Sequence, residues 1–174
     1  LIQHLEDKGV RDNTLIVYVC DNGWIQNPKK GGYAPRSKQT PYEGGTRTPI
    51  MFSWPNKLKA QDRPELSTSL DIFPTILGAA GARIPKGLPG LDLNSYMTTQ
   101  KAIPRDHIFG ESFAHDIVDI SDHEATLLFR WVIKGNYKLL LTYDGKVSRY
   151  KTTHPRTEKR PQLFDLSKDA AENN

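Results

Sequence analysis

Two short stretches of this 174-residue sequence carry side chains suited to chemistry on an oxyanion. The first is Asp21-Asn22-Gly23, which ends the continuously apolar, β-branched run from Thr14 to Cys20. In open α/β sheets, ligands bind beyond the carboxyl ends of the strands. A carboxylate beside a carboxamide at such an end offers hard oxygen donors to a cation. With no ring nitrogen in the pair, the donors favour Ca²⁺ or Mg²⁺ over zinc. The same tripeptide also has the composition of an ordinary turn. The second stretch is Lys38-Gln39-Thr40-Pro41-Tyr42-Glu43-Gly44-Gly45-Thr46-Arg47-Thr48-Pro49. It sets a lone lysine ahead of a Glu-Gly-Gly turn and an arginine, and it leads into the apolar run Pro49–Trp54. A lysine ammonium is a compact point charge suited to an oxyanion. Paired glycines let backbone approach a ligand or take positive φ.

The elements that must hold these residues follow from periodicity. Leu1, Ile2 and Leu5 predict a short helix that Gly9 stops, and Asp12-Asn13 reads as a turn. The unbroken apolar character of Thr14–Cys20 suits a strand buried on both faces, as in a parallel sheet. A Gly- and Pro-rich loop runs from Asn27 to about Arg47, and Pro49–Trp54 reads as a second strand. Ile72, Phe73, Ile76, Leu77 and Ala80 mark one helical face, with Pro74 in the first turn and Gly81 closing the helix. Gly and Pro become frequent from Ile84 to Pro104, which suggests a boundary between domains 1–104 and 105–174. In the second part, Leu127, Phe129, Trp131 and Ile133 alternate with other residues, as do Tyr137, Leu139, Leu141 and Tyr143. With Gly135-Asn136 between the runs, this predicts an antiparallel hairpin, and Leu163–Leu166 reads as a further strand.

Asp-Asn-Gly at a strand end, then Lys-x-x-x-Tyr-Glu-Gly-Gly-x-Arg-x-Pro, resembles the second signature region of type I (formylglycine-dependent) sulfatases. Ser69-Leu70-Asp71-Ile72-Phe73-Pro74-Thr75-Ile76-Leu77, Gly90-Leu91-Asp92-Leu93 and Gln162-Leu163-Phe164-Asp165-Leu166 resemble further runs of the same family in consistent order. The resemblance implies an α/β fold: the C-terminal part of an alkaline-phosphatase-like sulfatase domain, plus a small α+β domain with an antiparallel sheet. It implies an arylsulfatase-like sulfuric ester hydrolase whose nucleophile is a hydrated formylglycine made from Cys or Ser in Cys/Ser-x-Pro-x-Arg. That group attacks sulfur, the alcohol leaves, and the hemiacetal then expels sulfate. By the same resemblance, Asp21 and Asn22 are protein ligands of a Ca²⁺ ion and Lys38 is the catalytic lysine that binds the sulfate. His115, in Glu111-Ser112-Phe113-Ala114-His115-Asp116 after an expected strand of the small domain, is read from that loop position as a substrate contact. The expected substrate is a sulfate ester, with sulfated carbohydrate as one class, and the expected compartment is secreted, periplasmic or lysosomal.

The departures from the family pattern are informative. There is no Cys-x-Pro-x-Arg: Cys20 precedes Asp-Asn-Gly and reads as a small buried residue at a strand end. Ser53-Trp54-Pro55-Asn56-Lys57 imitates a Ser version but ends in Lys and reads as a strand end. The formylglycine is therefore expected upstream of Leu1. The chain opens without Met inside a predicted helix and closes at Asn173-Asn174 just after another is expected to begin, so it reads as part of a longer protein; with no nucleophile motif it is expected to be inactive by itself. Glu43 and Arg47 read as fixing the loop through hydrogen bonds and a charge pair. His4, His107, His123 and His154 read as surface or packing residues.

Composition limits the alternatives. One cysteine rules out an internal disulfide framework and a Cys-cluster zinc site. No apolar run approaches the roughly 20 residues needed to span a bilayer. A net charge of +4 predicts no nucleic-acid partner. The positive charge is clustered, in Lys29, Lys30, Arg36 and Lys38, and in Lys146, Arg149, Lys151, Arg156, Lys159 and Arg160 with only Glu158 opposing. The second cluster suits a solvated hairpin loop or, alternatively, attraction of a sulfated polysaccharide. Two rival functions remain: a phosphodiesterase or phosphatase of the same superfamily, and a non-catalytic polyanion-binding module. An Asp-His pair at the strand end would have pointed to the first, and Asn22 stands there instead.

Overall fold

The computed structural model describes all residues except 24–26, 28, 30, 100, 117, 148–155 and 174. Lys30, Arg149, Lys151 and His154 thus lie outside the described residues. The chain forms two compact units, Leu1–Cys20 with Pro49–Arg105, and Asp21–Thr48 with Asp106–Asn174. One break therefore falls beside the Gly/Pro-rich stretch, and the loop 21–48 packs with the C-terminal residues.

The first unit begins with helix α1 (Ile2–Asp7), ended by Gly9 at φ +66°, and a single 3₁₀ turn at Arg11–Asn13. Strand β1 (Ile16–Val19) pairs with β2 (Ile50–Ser53) in antiparallel register, Ile16 opposite Ser53 and Val19 opposite Ile50. The expected parallel pairing, buried on both faces, is not what forms. β1 finds its partner in the returning strand, and Tyr18, Val19 and Met51 stay exposed. The buried Arg11 closes one end of this ribbon. Its guanidinium donates to the Thr14 carbonyl at 2.8 Å and to the Ser53 hydroxyl at 2.5 Å.

Helix α3 (Ile72–Ala79) forms where the periodicity placed it, with Pro74 in its first turn and Gly81 at φ +68° behind it. Its buried side, however, carries Pro74 and Thr75, while Phe73 and Ile76 are exposed. The reason is a polar knot that ties the helix start to the Gly90–Asn94 segment. Asp71, fully buried, accepts from the amides of Thr68 and Leu91 at 2.8 Å each and from both ends of the Arg105 guanidinium at 2.6 Å. Thr75 Oγ1 donates to the Asp71 carbonyl and accepts from the Leu93 amide at 2.9 Å. Gly90 and Gly78 permit this approach, since a Cβ on either would collide with the Leu70 carbonyl or the Asp92 carboxylate. Burial pushes the Asp71 carboxyl up, but Arg105 and the two amides together hold it below its ordinary value. Helix α4 (Asn94–Thr99) follows.

The second unit contains the short helix α2 (Glu43–Thr46) and a four-stranded antiparallel sheet in sequence order. Its strands are β3 (His107–Phe113), β4 (Leu127–Lys134), β5 (Tyr137–Thr142) and β6 (Gln162–Asp165). The predicted hairpin is β4–β5, closed by Gly135-Asn136 with Gly135 at φ +56°, and the predicted extra strand is β6. The buried phase of β5 is the opposite of the expected one. Lys138 and Leu140 are buried, while Tyr137 is exposed. A two-residue loop makes Lys134 and Tyr137 direct partners, so odd positions of β4 share a face with even positions of β5. Leu128, Phe129, Leu140 and Phe164 form the core. Among the described residues no helix forms near Asn173, where one was expected to begin; the chain there makes turns.

Candidate functional site

The segment that carries the candidate residues is built by close backbone contact. Asp21 is exposed and Asn22 half-buried, immediately ahead of Gly23. The Gly23 amide donates to the Gly45 carbonyl at 3.0 Å, and a Cβ on Gly23 would run into the Gly44 carbonyl. The two motifs that the sequence separates are therefore pressed together, backbone to backbone. Gly44 and Gly45 are enclosed from the other side. A Cβ on Gly44 would lie 2.6 Å from the Arg36 carbonyl oxygen, and one on Gly45 would lie 2.5 Å from that of Ser37.

Lys38, half-buried, occupies the turn that wraps these glycines. Thr40 donates to the Ser37 carbonyl from its amide at 3.1 Å and from its hydroxyl at 2.6 Å, and the buried Ser37 hydroxyl donates to the Ala34 carbonyl. Arg36 and Gln39, on either side of Lys38, have φ of 54° and 68°. Positive φ costs non-glycine residues on the order of 1–3 kcal/mol and persists only where the surroundings enforce it. The lysine is thus delivered by a strained turn locked against two glycines.

The Tyr-Glu pair ahead of the glycines anchors this loop to the sheet. The Tyr42 ring meets Phe164 edge-on with centroids 6.1 Å apart, and its hydroxyl lies 3.3 Å from Gln162 Oε1. The Arg36 guanidinium stacks 4.8 Å from the Tyr42 ring centre. Glu43 is buried and its Oε1 accepts from Lys138 Nζ at 3.0 Å. Glu43 therefore does fix the loop through a charge pair, but its partner is Lys138, and Arg47 is exposed. Lys138 and Glu172 were not signalled by any motif. The available signal was the two-residue hairpin loop, which turns Lys138 inward, where an unpaired lysine could not stay.

The remaining candidates are dispersed. His115 lies beyond β3, exposed, with Nδ1 3.6 Å from Asp116 Oδ1 in its own loop. Cys20 is half-buried rather than buried, with its sulfur 3.3 Å from the Tyr18 hydroxyl. Ser53 is engaged by Arg11, and Trp54 Nε1 donates to the Asp12 carbonyl at 3.0 Å, so this stretch is a tied strand end. Among the described residues, no three His, Cys, Asp or Glu side chains gather into a metal cluster. Asp21 and Asn22 fit a hard cation in donor chemistry, and by themselves they would offer two of the six to eight oxygens that Ca²⁺ takes. No described helix is long and apolar enough to cross a membrane.

Comparison with known proteins bears on the family and the fold. A sequence model of the sulfatase family matches residues 1–82. Human arylsulfatase A is 31% identical over 99% of the chain, which covers 35% of its length. The ulvan-active sulfatase of Formosa agariphila is 30% identical over 99% of the chain and 26% of its own length. A solved structure described as a complex with its substrate D-glucosamine-2-N,6-O-disulfate superposes with a TM-score of 0.70 at 22% identity, over 99% of the chain and 32% of its own. The chain thus spans about a quarter to a third of the length of these relatives. Its α/β fold with antiparallel sheets is that of the matching part of alkaline-phosphatase-like sulfatases. The chain belongs to the sulfatase family, and it is arylsulfatase-like.

Proposed function

We propose that this chain supplies the metal-and-sulfate half of the active site of a sulfuric ester hydrolase. The observation that carries the reading is the lock between Gly23 and Gly44-Gly45, because it fixes Asp21-Asn22 and the Lys38 turn on one framework. Asp21 and Asn22 would hold Ca²⁺, or Mg²⁺, through side-chain oxygens. When bound, that cation supplies Lewis-acid neutralisation of negative charge on the sulfate oxygens. Lys38 contacts the sulfate and stabilises the charge that builds on it during transfer. His115 contacts the substrate beyond the sulfate. The nucleophile is a formylglycine upstream of Leu1, a reading supported by relatives about three times as long and by the absence of Cys-x-Pro-x-Arg here. Residues 1–104 then form the C-terminal portion of the catalytic domain and 105–174 the small C-terminal domain; the family match over residues 1–82 supports the former.

The substrate class is a sulfate ester, with sulfated carbohydrate favoured by the names of the ulvan-active relative and of the disulfated-glucosamine complex. The compartment is secreted, periplasmic or lysosomal. The test is sulfate release from an aryl sulfate by the intact protein before and after chelation. We expect loss on chelation and recovery with Ca²⁺. Preference for an aryl phosphate would instead identify a phosphoryl-transfer enzyme. Polyanion binding that ignores chelators but falls steeply with salt, with no turnover, would identify an electrostatic binding module.

A further inference from the structure

Beneath the Lys38 loop lies a buried ion triad. Lys138 Nζ, fully buried on the inner face of the sheet, sits 3.0 Å from Glu43 Oε1 and 3.0 Å from Glu172 Oε1. Glu172 is also fully buried, and its other oxygen accepts the Glu43 amide hydrogen. Two carboxylates thus share one ammonium, which itself lies 5.4 Å from the Trp131 ring centre. Buried ionic clusters of this kind add little stability beyond what apolar residues of similar volume would give. What this one does is join three distant segments: the start of α2, β5 and the C-terminal turn. A second contact runs alongside, with the Arg36 guanidinium 3.5 Å from the Asn173 side-chain oxygen. Of the four described non-glycine residues with left-handed backbone, three belong to this junction: Arg36, Gln39 and Glu172.

We infer that Lys138 and Glu172 are positioning residues for Lys38: through Glu43 and its amide, the triad clamps the strained Lys38 turn to the sheet. The inference rests on the reading of Lys38 as the sulfate contact. Neither residue needs to touch substrate. Displacement of a catalytic group by about 1 Å can cost on the order of a hundredfold in rate, so the clamp is a rate device. It is also pH-dependent. The charged groups acting on Glu172 are Lys138 on β5 and Glu43 on α2; burial pushes its carboxyl above the ordinary value, against the pull of Lys138 and the Glu43 amide. A raised carboxyl favours folding most when protonated. The clamp is therefore firmest below the ordinary Glu range and weakens as pH rises through the raised value.

The experiment compares wild type, Lys138→Met and Glu172→Gln in the intact protein, by amide hydrogen exchange and by sulfate release from an aryl sulfate. In Lys138→Met, the Thr40, Gly45 and Thr46 amides should exchange at least about tenfold faster while the β4–β5 ladder keeps its protection. Its kcat should fall by about tenfold to a hundredfold. Wild-type loop protection, corrected for the intrinsic rise of exchange with pH, should decline toward alkaline pH. Glu172→Gln, which keeps an acceptor for the Glu43 amide and leaves a one-to-one ion pair, should abolish that decline. Unchanged loop exchange in Lys138→Met overturns the inference, as does faster exchange with unchanged kcat. If Lys138→Met does not fold, a pH dependence of loop protection that persists in Glu172→Gln overturns it. If wild type releases no sulfate, the sulfatase reading fails, and the exchange data still decide whether the triad clamps the loop.

Discussion

Lys38 owes its place to neighbours rather than to its own contacts: Arg36 and Gln39 hold positive φ on either side, and the Ser37–Thr40 turn closes over Gly45. A side chain delivered by backbone this constrained can meet an oxyanion with little reorganisation, which is the condition for electrostatic stabilisation of a transition state. The part proposed for Asp21, as a metal ligand, is different. That residue is exposed, adjacent to Asn22, and has one formal charge to give a cation. Asp21→Ala in the intact enzyme should raise the Ca²⁺ concentration needed for half-maximal turnover by about tenfold or more, because affinity follows the charge count of the ligands. A titration of chelated enzyme with Ca²⁺ checks this, and an unchanged midpoint would remove Asp21 from the metal site. At this scale residue types and spacing single out Asp21, Asn22 and Lys38 as candidates, and the structure joins the two stretches that carry them through Gly23 and Gly45. The sequence holds no such pointer to Lys138 and Glu172, whose importance arises only when three segments converge.

At the scale of elements, glycines and one ion pair decide the outcome. Gly45→Ala would thrust a methyl group into the Thr40 and Ser37 carbonyl oxygens, backbone atoms that cannot swing aside, with the Thr40 hydroxyl also 2.9 Å away. We expect it to loosen the loop selectively: loss of turnover at least as large as for a single transition-state contact, with little change in the circular dichroism of the sheet. The Asp71–Arg105 pair is the corresponding feature of the first unit. Arg105→Ala leaves a buried carboxylate without its cation and should destabilise by about 3–5 kcal/mol in thermal or denaturant unfolding. The wild-type Asp71 carboxyl is depressed, so its contribution is present above the ordinary Asp range and disappears as pH falls through the lowered value. Removing Arg105 lets that value rise, and the acid-unfolding midpoint should move to higher pH. The position of α3 was legible from its period and its Gly81 stop, but its buried face was not. The apolar residues Phe73 and Ile76 face outward here because the polar knot of Asp71, Thr75 and Asn94 claims the other side. β1 shows the same limit, since an unbroken apolar run predicts burial without naming the partner strand.

At the scale of the whole molecule, the ordered series of motifs identified the family, while the grouping of 21–48 with the C-terminal sheet could not be read from it. Local composition sets boundaries, but Tyr42 on Phe164 and Glu43 on Lys138 are pairings across more than 90 residues. The division of labour proposed here has a direct consequence. The 174-residue chain alone carries Asp21, Asn22 and Lys38 without a formylglycine motif, and it should release no sulfate from an aryl sulfate in the presence of Ca²⁺. Turnover above a Lys38→Ala control would place the nucleophile within the chain. The central claim, that Lys38 serves sulfate-ester hydrolysis, is tested most directly in the intact enzyme. Steady-state sulfate release by Lys38→Ala should fall by about two to three orders of magnitude relative to wild type, with the fold retained. Wild-type turnover in that variant, at matched Ca²⁺ and pH, would contradict the account.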